Sequence, residues 1–412
     1  MSAPDAGRLG HDTSDAPPAR SGPATSTTIH THRSPIAYRL PGKPDVPAWL
    51  KPRLAADFDR FKTGLPADVA SEVREAYRVD LTGEYAGRPI RVPFGKASGQ
   101  LSMTVDAVEA DIAAGLGFVV LKTVIGEDQV GHRTMEPWAV RATAMKVEPI
   151  VSRGGRKGWT VTWKGRGWDK SFDAYLELYR AALRIGAAAG VPIAASMKCH
   201  LPPAGEPFAE AEYAHTVTRL AAVGGTGMIV EKDFSPTLAA DARAASLEAI
   251  EGWIAEVPKL IKARAPLTLG VKLMNALHGD GLQVEMVRAA TASGADFLVL
   301  FNRLFDPKRG VAYGGWDLSD RNLRVLDVCQ GLSRLPPISA TGNICSGRLM
   351  AEYALRGATS GQIHTYFQLP LSAYPATAGS RSARALHALL FHPEEGLVAW
   401  MLSLGEAGVV HP

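Results

Sequence analysis

The feature that most constrains the fold of this chain is an alternation, after residue 88, of short β-branched runs with amphipathic helical segments. Runs that are apolar on both faces are typical of strands in a parallel sheet that helices cover on both sides. Eight runs can be counted, at residues 90–94, 117–124, 192–197, 227–232, 267–273, 296–301, 337–340 and 359–364. Eight strand–helix units predict an α/β fold, a (β/α)8 TIM barrel with insertions.

Glycines that end helices support this arrangement. Gly117, Gly294 and Gly357 stand at the entry to three of the runs, where a helix C-cap is followed by a strand. A doubly wound parallel sheet is the main alternative. It is disfavoured because the chain has no GxGxxG at a first strand-to-helix turn.

The chain divides by composition into three segments. Residues 1–40 are rich in Ser, Thr, Pro, Ala and Gly and have too little apolar surface to offset the entropy of ordering, so they are predicted to be a disordered tail. Residues 41–88 predict an N-terminal helical extension that packs on the barrel. The barrel itself is assigned to residues 89–412, with a hairpin lid inserted at residues 137–170.

Composition indicates a compartment and excludes some partners. The chain is 46% hydrophobic and 21% charged, without the continuous apolar segment of a secretory leader or a membrane span, so a cytoplasmic protein is expected. A net charge of +4 on 45 basic and 41 acidic residues does not indicate nucleic-acid binding. We expect a small-molecule substrate and no membrane partner. The sequence leaves open whether the protein forms a homodimer.

The cysteines do not indicate a metal site or a disulfide framework. Cys199, Cys329 and Cys345 are an odd number, far apart, and have no CxxC spacing. Free thiols in a reducing compartment are therefore expected, and no metal is predicted.

The stretch from residue 93 to 124 predicts the first half of a binding site. Ala97, Ser98 and Gly99 follow a short apolar run and are small enough for another group to approach the backbone closely. Thr104 is a suitable N-cap for the helix that follows. The next strand, apolar on both faces, ends at Lys122.

The insertion after the second strand predicts a lid. Its sequence alternates and turns at two adjacent glycines, which is typical of a β-hairpin. Trp138, Trp159, Trp163 and Trp168 all fall in or beside it. Since loops that follow barrel strands line the active-site face, we expect the insertion to exclude water from a site there.

Charged side chains follow several strands. The predicted strand ends carry Lys122, Lys198, Lys232 with Asp233, Lys272, and Asn302 with Arg303. Several cations at one barrel mouth are unfavourable unless they meet negative groups. The mouth is therefore predicted to bind something anionic.

Two loops predict a phosphate site. Thr341, Gly342 and Asn343 follow the seventh strand, and His364 and Thr365 follow the eighth. Backbone N–H groups of these loops commonly bind phosphate in TIM barrels. Gly314 and Gly315, after the sixth strand, would add a further close approach of backbone.

The motifs together resemble a dihydroorotate dehydrogenase-type FMN barrel across roughly residues 88–370. The matching pieces occur in the family order: ASG at 97–99, GFVVLKT at 117–123, GVKL at 270–273, FN at 301–302, GG at 314–315, TGNI at 341–344 and GATSGQIHT at 357–365. Singly these pieces are weak signals, and in order they are strong.

The resemblance implies an FMN cofactor and a position for each of its parts. The isoalloxazine ring would lie over Ala97 and Ser98, with Lys122 and Lys272 near it and Asn302 toward the substrate. A lysine near the N1 and O2 edge stabilises anionic reduced flavin. The phosphate would lie on the loops that contain Gly314, Gly315, Thr341, Gly342, Asn343, His364 and Thr365.

The loop after the fourth strand departs from the family pattern. Ser235 matches the family's catalytic base, with Lys122 and Lys232 as further catalytic candidates. Asparagines that would bind dihydroorotate are replaced by Lys232 and Thr237, and another expected asparagine aligns near Trp163. Each lost hydrogen bond typically costs about 1–3 kcal/mol, so the pattern argues against dihydroorotate. The predicted substrate contacts are Trp163, Lys198, Thr237 and Arg303.

Three hypotheses follow from these residues. The first is an FMN-dependent oxidoreductase that acts on a C–C bond next to a carbonyl, with a substrate other than dihydroorotate. The second is a true dihydroorotate dehydrogenase of pyrimidine biosynthesis with rearranged contacts. The third is a redox-neutral barrel lyase or isomerase in which a lysine acts as base or Schiff-base nucleophile.

Overall fold

The computed structural model of the protein describes residues 38–139, 145–151, 157–163, 167–234, 247–275, 279–306, 311–313 and 316–410. The predicted disordered tail lies outside these residues, except for its last three. These three pack on the barrel: the Arg39 guanidinium is 2.7 Å from a carboxylate oxygen of Asp327, and the N–H of Leu40 donates to Glu352 at 3.0 Å.

The strands of the described residues form one large sheet and two smaller ones. In chain order they are β1 (Gly83–Tyr85), β2 (Arg88–Ile90), β3 (Phe94–Lys96), β4 (Phe118–Val120), β5 (Val124–Ile125), β6 (Met145–Val151), β7 (Lys157–Trp163), β8 (Ile193–Lys198), β9 (Met228–Asp233), β10 (Leu267–Met274), β11 (Phe297–Asn302), β12 (Leu304–Asp306), β13 (Val311–Tyr313), β14 (Ile338–Thr341) and β15 (Ala358–Ile363).

The large sheet closes into an eight-stranded parallel barrel. Its eight positions are taken in order by β3, β4 together with β5, β8, β9, β10, β11, β14 and β15. β15 pairs with β3 through Gly361 and Phe94, and β4 pairs with β8 through Val119 and Ile193, which closes the ring. The predicted TIM barrel is thus confirmed, and each of the eight predicted runs overlaps a barrel strand.

The first two runs differ from the barrel strands in their bounds. Ile90 does not belong to the barrel, because β2 pairs antiparallel with β1 in a separate hairpin and the first barrel strand begins at Phe94. The second strand is interrupted at Lys122, so that β4 and β5 pair with β8 in turn. The interruption places Lys122 at the mouth of the barrel instead of within the ladder.

Helices follow the barrel strands and cover the outside. They are α1 (Lys51–Arg60), α2 (Val69–Tyr77), α3 (Val105–Ala113), α4 (Phe172–Ala189), α5 (Glu210–Gly224), α6 (Leu247–Lys262), α7 (Asp280–Ala292), α8 (Trp316–Cys329), α9 (Gly347–Ala354), α10 (Arg381–Phe391) and α11 (Leu397–Glu406). The predicted cap of α3 is present, since the Thr104 hydroxyl accepts from the N–H of Ala107. Among the described residues, no helix has the length and apolar character needed to cross a membrane.

The hairpin of β1 and β2 closes the N-terminal end of the barrel. The Tyr85 ring stacks on Phe118, with ring centroids 3.8 Å apart and planes 7° from parallel. Tyr85 and Ile90 belong to the apolar cluster inside the barrel, together with Phe118, Val120, Ala194, Ile229, Phe297 and Val299. These buried side chains fill the interior of the barrel at this end.

A buried ion pair fastens the first barrel strand to the helices outside it. Lys96 Nζ lies 2.9 Å from Asp111 Oδ1 of α3 and donates to the Ser382 hydroxyl of α10 at 3.1 Å. It also lies 4.1 Å from the ring centroid of Phe367. Burial lowers the pKa of Lys96 and raises that of Asp111, and each partner opposes the shift of the other. The pair fixes β3 immediately before Ala97 and Ser98.

The lid is larger than the sequence predicts. The expected hairpin is present as β6 and β7, which pair antiparallel from Met145 opposite Trp163 to Val151 opposite Lys157. A second hairpin of β12 and β13 adds to it, with Ala312 opposite Trp163. The four strands form one antiparallel sheet in the order β12, β13, β7, β6. Loops after the second and sixth barrel strands therefore build the lid together.

Candidate active site

A cavity lies at the C-terminal ends of the barrel strands, on the face that carries the lid. It brings together most of the predicted cofactor residues, namely Ala97, Ser98, Lys272, Asn302, Thr341, Gly342, Asn343, His364 and Thr365, as well as the predicted substrate residue Arg303. Trp159 of the lid also lines it.

Several predicted site residues lie outside the described residues. These are Ser235 and Thr237 after β9, and Gly314 and Gly315 after β13. Of Trp163 the structure describes the backbone, which pairs with Met145 and Ala312 in the lid.

Lys232 is not among the residues that line the cavity, and its catalytic role stays a prediction. Side chains alternate along β9, so Glu231 and Asp233 point into the barrel and Lys232 points outward. Its ammonium nitrogen lies 5.0 Å from the ring centroid of Phe234 and 6.0 Å from that of Tyr213 on α5. Burial lowers its pKa. Lys232 is a packed side chain between the barrel and α5.

Lys272 is held inside the barrel by two oxygen atoms. Its Nζ donates to Gln362 Oε1 at 3.2 Å and lies 3.5 Å from Glu231 Oε2. Gln362 also donates to Glu231, and the hydroxyl of Tyr85 donates to Glu231 at 2.8 Å. All four side chains are buried. The lysine therefore has a fixed position at the floor of the cavity. The hairpin of β1 and β2, which plugs the other end of the barrel, supports it through Tyr85.

A chain of hydroxyl groups runs from the first to the fourth strand. Thr123 Oγ1 lies 2.8 Å from Ser98 Oγ and 2.9 Å from Ser196 Oγ. It also donates to Asp233 Oδ2 at 3.4 Å. Lys198 Nζ is 3.9 Å from the same carboxylate oxygen. Asp233 is therefore a buried carboxylate connected to Ser98, two residues before Ser235.

The lysines at the mouth have lowered pKa values. Burial, followed by the charges of Arg303 and Lys198, lowers the pKa of Lys122 to about 7, while Asp233 and Asp169 act in the opposite direction. Burial likewise lowers the pKa of Lys198 to about 8, although Asp233 raises it.

His364 is a neutral imidazole in this surrounding. Burial is the largest cause that holds its pKa well below the usual range, followed by the charges of Arg303, Lys122, Lys96 and Lys272. The ring packs directly on Gly99: a Cβ at that position would lie 2.0 Å from Cε1 of the ring. Gly99 is thus needed for close approach, as expected, and the approaching group in this structure is a side chain.

The loop after the seventh strand is fixed by a hydrogen-bonded asparagine. Asn322 Nδ2 on α8 donates to the carbonyls of Thr341 at 2.9 Å and Phe301 at 3.1 Å. The Tyr353 hydroxyl donates to the carbonyl of Gly342 at 2.9 Å. Gly342 has φ +114°, and a Cβ there would lie 2.4 Å from Asn322 Nδ2. Only glycine suits this position.

Asn343 replaces the glycine that is usual in the resembling family. Its φ is 56°, in the left-handed region that asparagine tolerates better than other residues with a side chain. The irregular residues between β14 and α9, and those after β15, lie outside the sheet ladder. The substitution therefore preserves the loop shape.

The residues present fit a flavin mononucleotide. The side-chain amide of Gln100 and the Oδ1 atom of Asn343 are buried and have no hydrogen-bond partner within the described parts of the chain. Buried polar atoms are normally hydrogen-bonded, and Asn343 lines the cavity, so its Oδ1 atom is suited to contact a ligand. With Lys272 at the floor and two irregular loops at one side, the donors match a group that has a polar planar ring and a phosphate.

Three site features were not predicted from the sequence. Glu231 and Gln362, which hold Lys272, lie within apolar strands. A polar side chain inside such a strand is a sequence signal for a buried polar contact. Thr123 joins Ser98 to Asp233 across three strands, and Asn322 lies on a helix behind the loop that it fixes. Neither of these contacts has a signature in the local sequence.

Comparison with known proteins gives a fold but no family. No family model matches the chain, and no curated protein matches it. Among solved structures it is similar to the dihydroorotate dehydrogenase (DHODH) of Eimeria tenella in complex with ferulenol, with a TM-score of 0.50 and 13% identity. The match covers 90% of this chain and 94% of that one. The fold is therefore a DHODH-like TIM barrel, as the resemblance of the motifs implied.

Proposed function

We propose that the protein is an FMN-dependent oxidoreductase that acts on a C–C bond adjacent to a carbonyl group. The observation that carries this proposal is the position of Lys272, fixed by Glu231 and Gln362 at the floor of a cavity that has a phosphate-type loop at one side. A fixed buried cation next to such a loop suits a flavin ring and its phosphate. The DHODH-like fold supports the same cofactor.

In this proposal each part of the cavity has a task. Ala97 and Ser98 support the ring face, and Lys272 stabilises negative charge at its pyrimidine edge. Backbone N–H groups at Gly342, Asn343 and Thr365 bind the phosphate. When bound, FMN supplies the acceptor or donor of a hydride.

The proton from the carbon next to the carbonyl requires a separate acceptor. Ser235 is proposed as the first acceptor at its Oγ atom, as the resemblance implies. A serine hydroxyl is a poor base at neutral pH, so its own proton must pass to a neighbour. Asp233, two residues before it and already bonded to Thr123, is the described group best suited to receive that proton.

The test measures cofactor and proton transfer separately. The purified protein is expected to be yellow and to contain about one FMN. Ser235→Ala should retain FMN and lower the rate of flavin reduction by about 10²–10⁴-fold, whereas Ser102→Ala, at a buried serine that bonds to Gly99, should affect stability more than rate. A colourless protein whose cavity takes up no added FMN would refute the proposal.

One observation favours a second candidate, a redox-neutral lyase or isomerase. With a pKa of about 7, Lys122 is partly neutral at physiological pH and is a competent base or Schiff-base nucleophile. Borohydride in the presence of a carbonyl substrate would then attach that substrate covalently to Lys122. Peptide mass analysis after such a reaction distinguishes the two candidates.

A further inference from the structure

We propose that the side chain of Asn343 selects the polyol chain of the cofactor, because its Oδ1 atom accepts a hydrogen bond from a hydroxyl group of the ribityl chain. This inference rests on the proposed function and deepens it. It assigns one contact of FMN to a side chain instead of a backbone N–H group. The contact would favour a flavin phosphate with hydroxyl groups on its chain over one without them.

The backbone at position 343 does not by itself require an asparagine. Asn343 has φ 56°, in the left-handed region, where glycine has no steric penalty and a residue with a side chain has one. Gly342 stands directly before it, with φ +114°. A second glycine would therefore suit the loop at least as well. The side chain of Asn343 has to contribute something that glycine would not.

The loop that carries Asn343 is fixed by two helices behind it. Asn322 Nδ2 on α8 donates to the Thr341 carbonyl at 2.9 Å, and the Tyr353 hydroxyl on α9 donates to the Gly342 carbonyl at 2.9 Å. Both of these side chains are fully buried. Since Asn343 follows directly after the two carbonyls, its side chain leaves the loop in a fixed direction.

One further contact orients the amide group of Asn343. Its Nδ2 atom donates to the hydroxyl of Ser319 on α8 at 3.3 Å, and Ser319 is fully buried. The amide is planar, so a fixed Nδ2 also fixes Oδ1 on the other edge of the group. Because Asn343 lines the cavity, this oxygen is held at a defined position beside it.

The Oδ1 atom of Asn343 is a buried acceptor without a donor. Asn343 is 8% exposed, and its Oδ1 has no hydrogen-bond partner within the parts of the chain that the structure describes. A carbonyl oxygen that is removed from water and gains no donor destabilises the protein. A ligand that brings a donor to this atom removes the penalty. Binding of such a donor is therefore favoured here.

The chemistry of an amide oxygen decides which part of FMN it can contact. The oxygen accepts hydrogen bonds and donates none. A phosphate near pH 8 is a dianion that offers acceptors only, so it does not match. The pyrimidine edge of the ring is already placed at Lys272 in the proposed arrangement. The ribityl chain joins the ring to the phosphate, and each of its hydroxyl groups can donate, so a ribityl hydroxyl is the matching group.

The test compares FMN with an analogue that has the same ring and phosphate, joined by a chain of the same length without hydroxyl groups. Quenching of flavin fluorescence, on titration of the flavin-free protein at pH 8, gives a dissociation constant for each. The wild type is expected to bind FMN at least about tenfold more tightly than the analogue. Equal affinities for the two flavins would overturn the proposal.

Two variants at position 343 assign this preference to the side chain. Asn343→Gly removes the acceptor and keeps a backbone that suits φ 56°. It should weaken FMN binding about three- to tenfold and leave the affinity for the analogue unchanged. Asn343→Asp keeps an acceptor oxygen and should keep the preference for FMN, although its charge weakens the binding of both phosphates. Loss of the preference in Asn343→Asp, or an equal loss of affinity for both flavins in Asn343→Gly, would overturn the assignment.

A control variant tests whether the change at a left-handed position matters by itself. Arg78 ends α2 with φ 58°, is exposed and does not line the cavity. Arg78→Gly should therefore bind both flavins as the wild type does. Failure of the wild type to bind either flavin would refute the proposed function and this inference with it. A wild type that binds both flavins equally well would refute this inference alone.

Discussion

Lys272 is the residue on which the cofactor assignment depends, and its surroundings dictate how it has to be tested. Its carboxylate partner Glu231 is fully buried, so removing the lysine leaves an uncompensated charge. Removing one member of a buried ion pair typically destabilises a protein by about 3–5 kcal/mol. A single substitution would therefore mix loss of cofactor with loss of stability.

The prediction for Lys272 uses a pair of variants. Lys272→Met should lower both the melting temperature and the bound FMN. Adding Glu231→Gln should recover most of the melting temperature, because it removes the buried charge, but not the FMN or its reduction rate. Flavin absorbance and thermal unfolding measure the two effects. Wild-type flavin content and reduction rate in the double variant would disprove the assignment of Lys272 to the ring.

Lys122 allows a prediction of stability against pH. Its pKa is about 7 in the folded protein and near the ordinary lysine value when unfolded. Below pH 7 Lys122 is charged although it is buried, so the burial of this charge lowers the free energy of unfolding by its full amount there. This destabilisation disappears as the pH rises from 7 toward the pKa of lysine in the unfolded chain. Lys122→Met is therefore expected to be more stable than the wild type by roughly 2–5 kcal/mol at pH 6.

The measurement for Lys122 is a difference between two proteins. Urea unfolding of the wild type and of Lys122→Met is measured at pH 6 and at pH 9.5. The variant's advantage in free energy of unfolding should be clearly smaller at pH 9.5. Taking the difference cancels the other titrating groups that both proteins share. A gain that does not change with pH would mean that Lys122 has an ordinary pKa in the folded protein.

At the scale of single residues, the sequence can predict which positions come together where the barrel geometry alone determines them. Strand ends and the loops that follow them meet at one face in any TIM barrel, which is why Lys272, Arg303, Gly342 and His364 line one cavity. The direction of a side chain at a strand end, such as that of Lys232, cannot be predicted in this way, because a shift of one residue in register exchanges the two faces.

At the level of elements, the lid shows what local pattern can and cannot predict. The hairpin of β6 and β7 has alternation and a glycine turn, and both are local. The hairpin of β12 and β13 is short. It belongs to the lid only because β13 pairs with β7, which is distant in the chain. The same applies to β1 and β2, whose role as a plug depends on Tyr85 meeting Phe118.

The lid should protect the cavity from solvent. Trp159 lines the cavity and lies opposite Pro149 in the lid hairpin. Trp159→Ala is expected to expose the bound flavin, so that quenching of flavin fluorescence by the neutral quencher acrylamide increases about twofold or more. Trp49→Ala is the matched control, since Trp49 is 76% exposed and lies in the N-terminal extension. Equal quenching of both variants and the wild type would show that the lid does not cover the ring.

At the scale of the whole molecule, the barrel brings two chemically different sets of groups to opposite sides of one mouth. Loops at the seventh and eighth strands provide backbone donors, and the third and fourth strands provide charged side chains. The plug at the other end supports the lysine between them through Tyr85 and Glu231. Fold class follows from patterns along the chain. The contacts of Thr123 with Ser98 and Asp233 do not, because they join strands that meet only in the folded barrel.

This division of the mouth predicts poor use of dihydroorotate. The position after β9 that would hold an asparagine carries Thr237, and Lys232 faces α5, so neither is an amide partner for the substrate's ring. Unpaired polar groups of a bound substrate lower the rate strongly, and we expect dihydroorotate to reduce the flavin at least about a hundredfold more slowly than the protein's own substrate does. Stopped-flow measurement of flavin absorbance with dihydroorotate and with candidate carbonyl compounds makes the comparison. Thr237→Asn should raise the rate with dihydroorotate, whereas Lys232→Asn should not. Rapid bleaching of the wild-type flavin by dihydroorotate would instead identify a true dihydroorotate dehydrogenase in which other residues replace the missing asparagines.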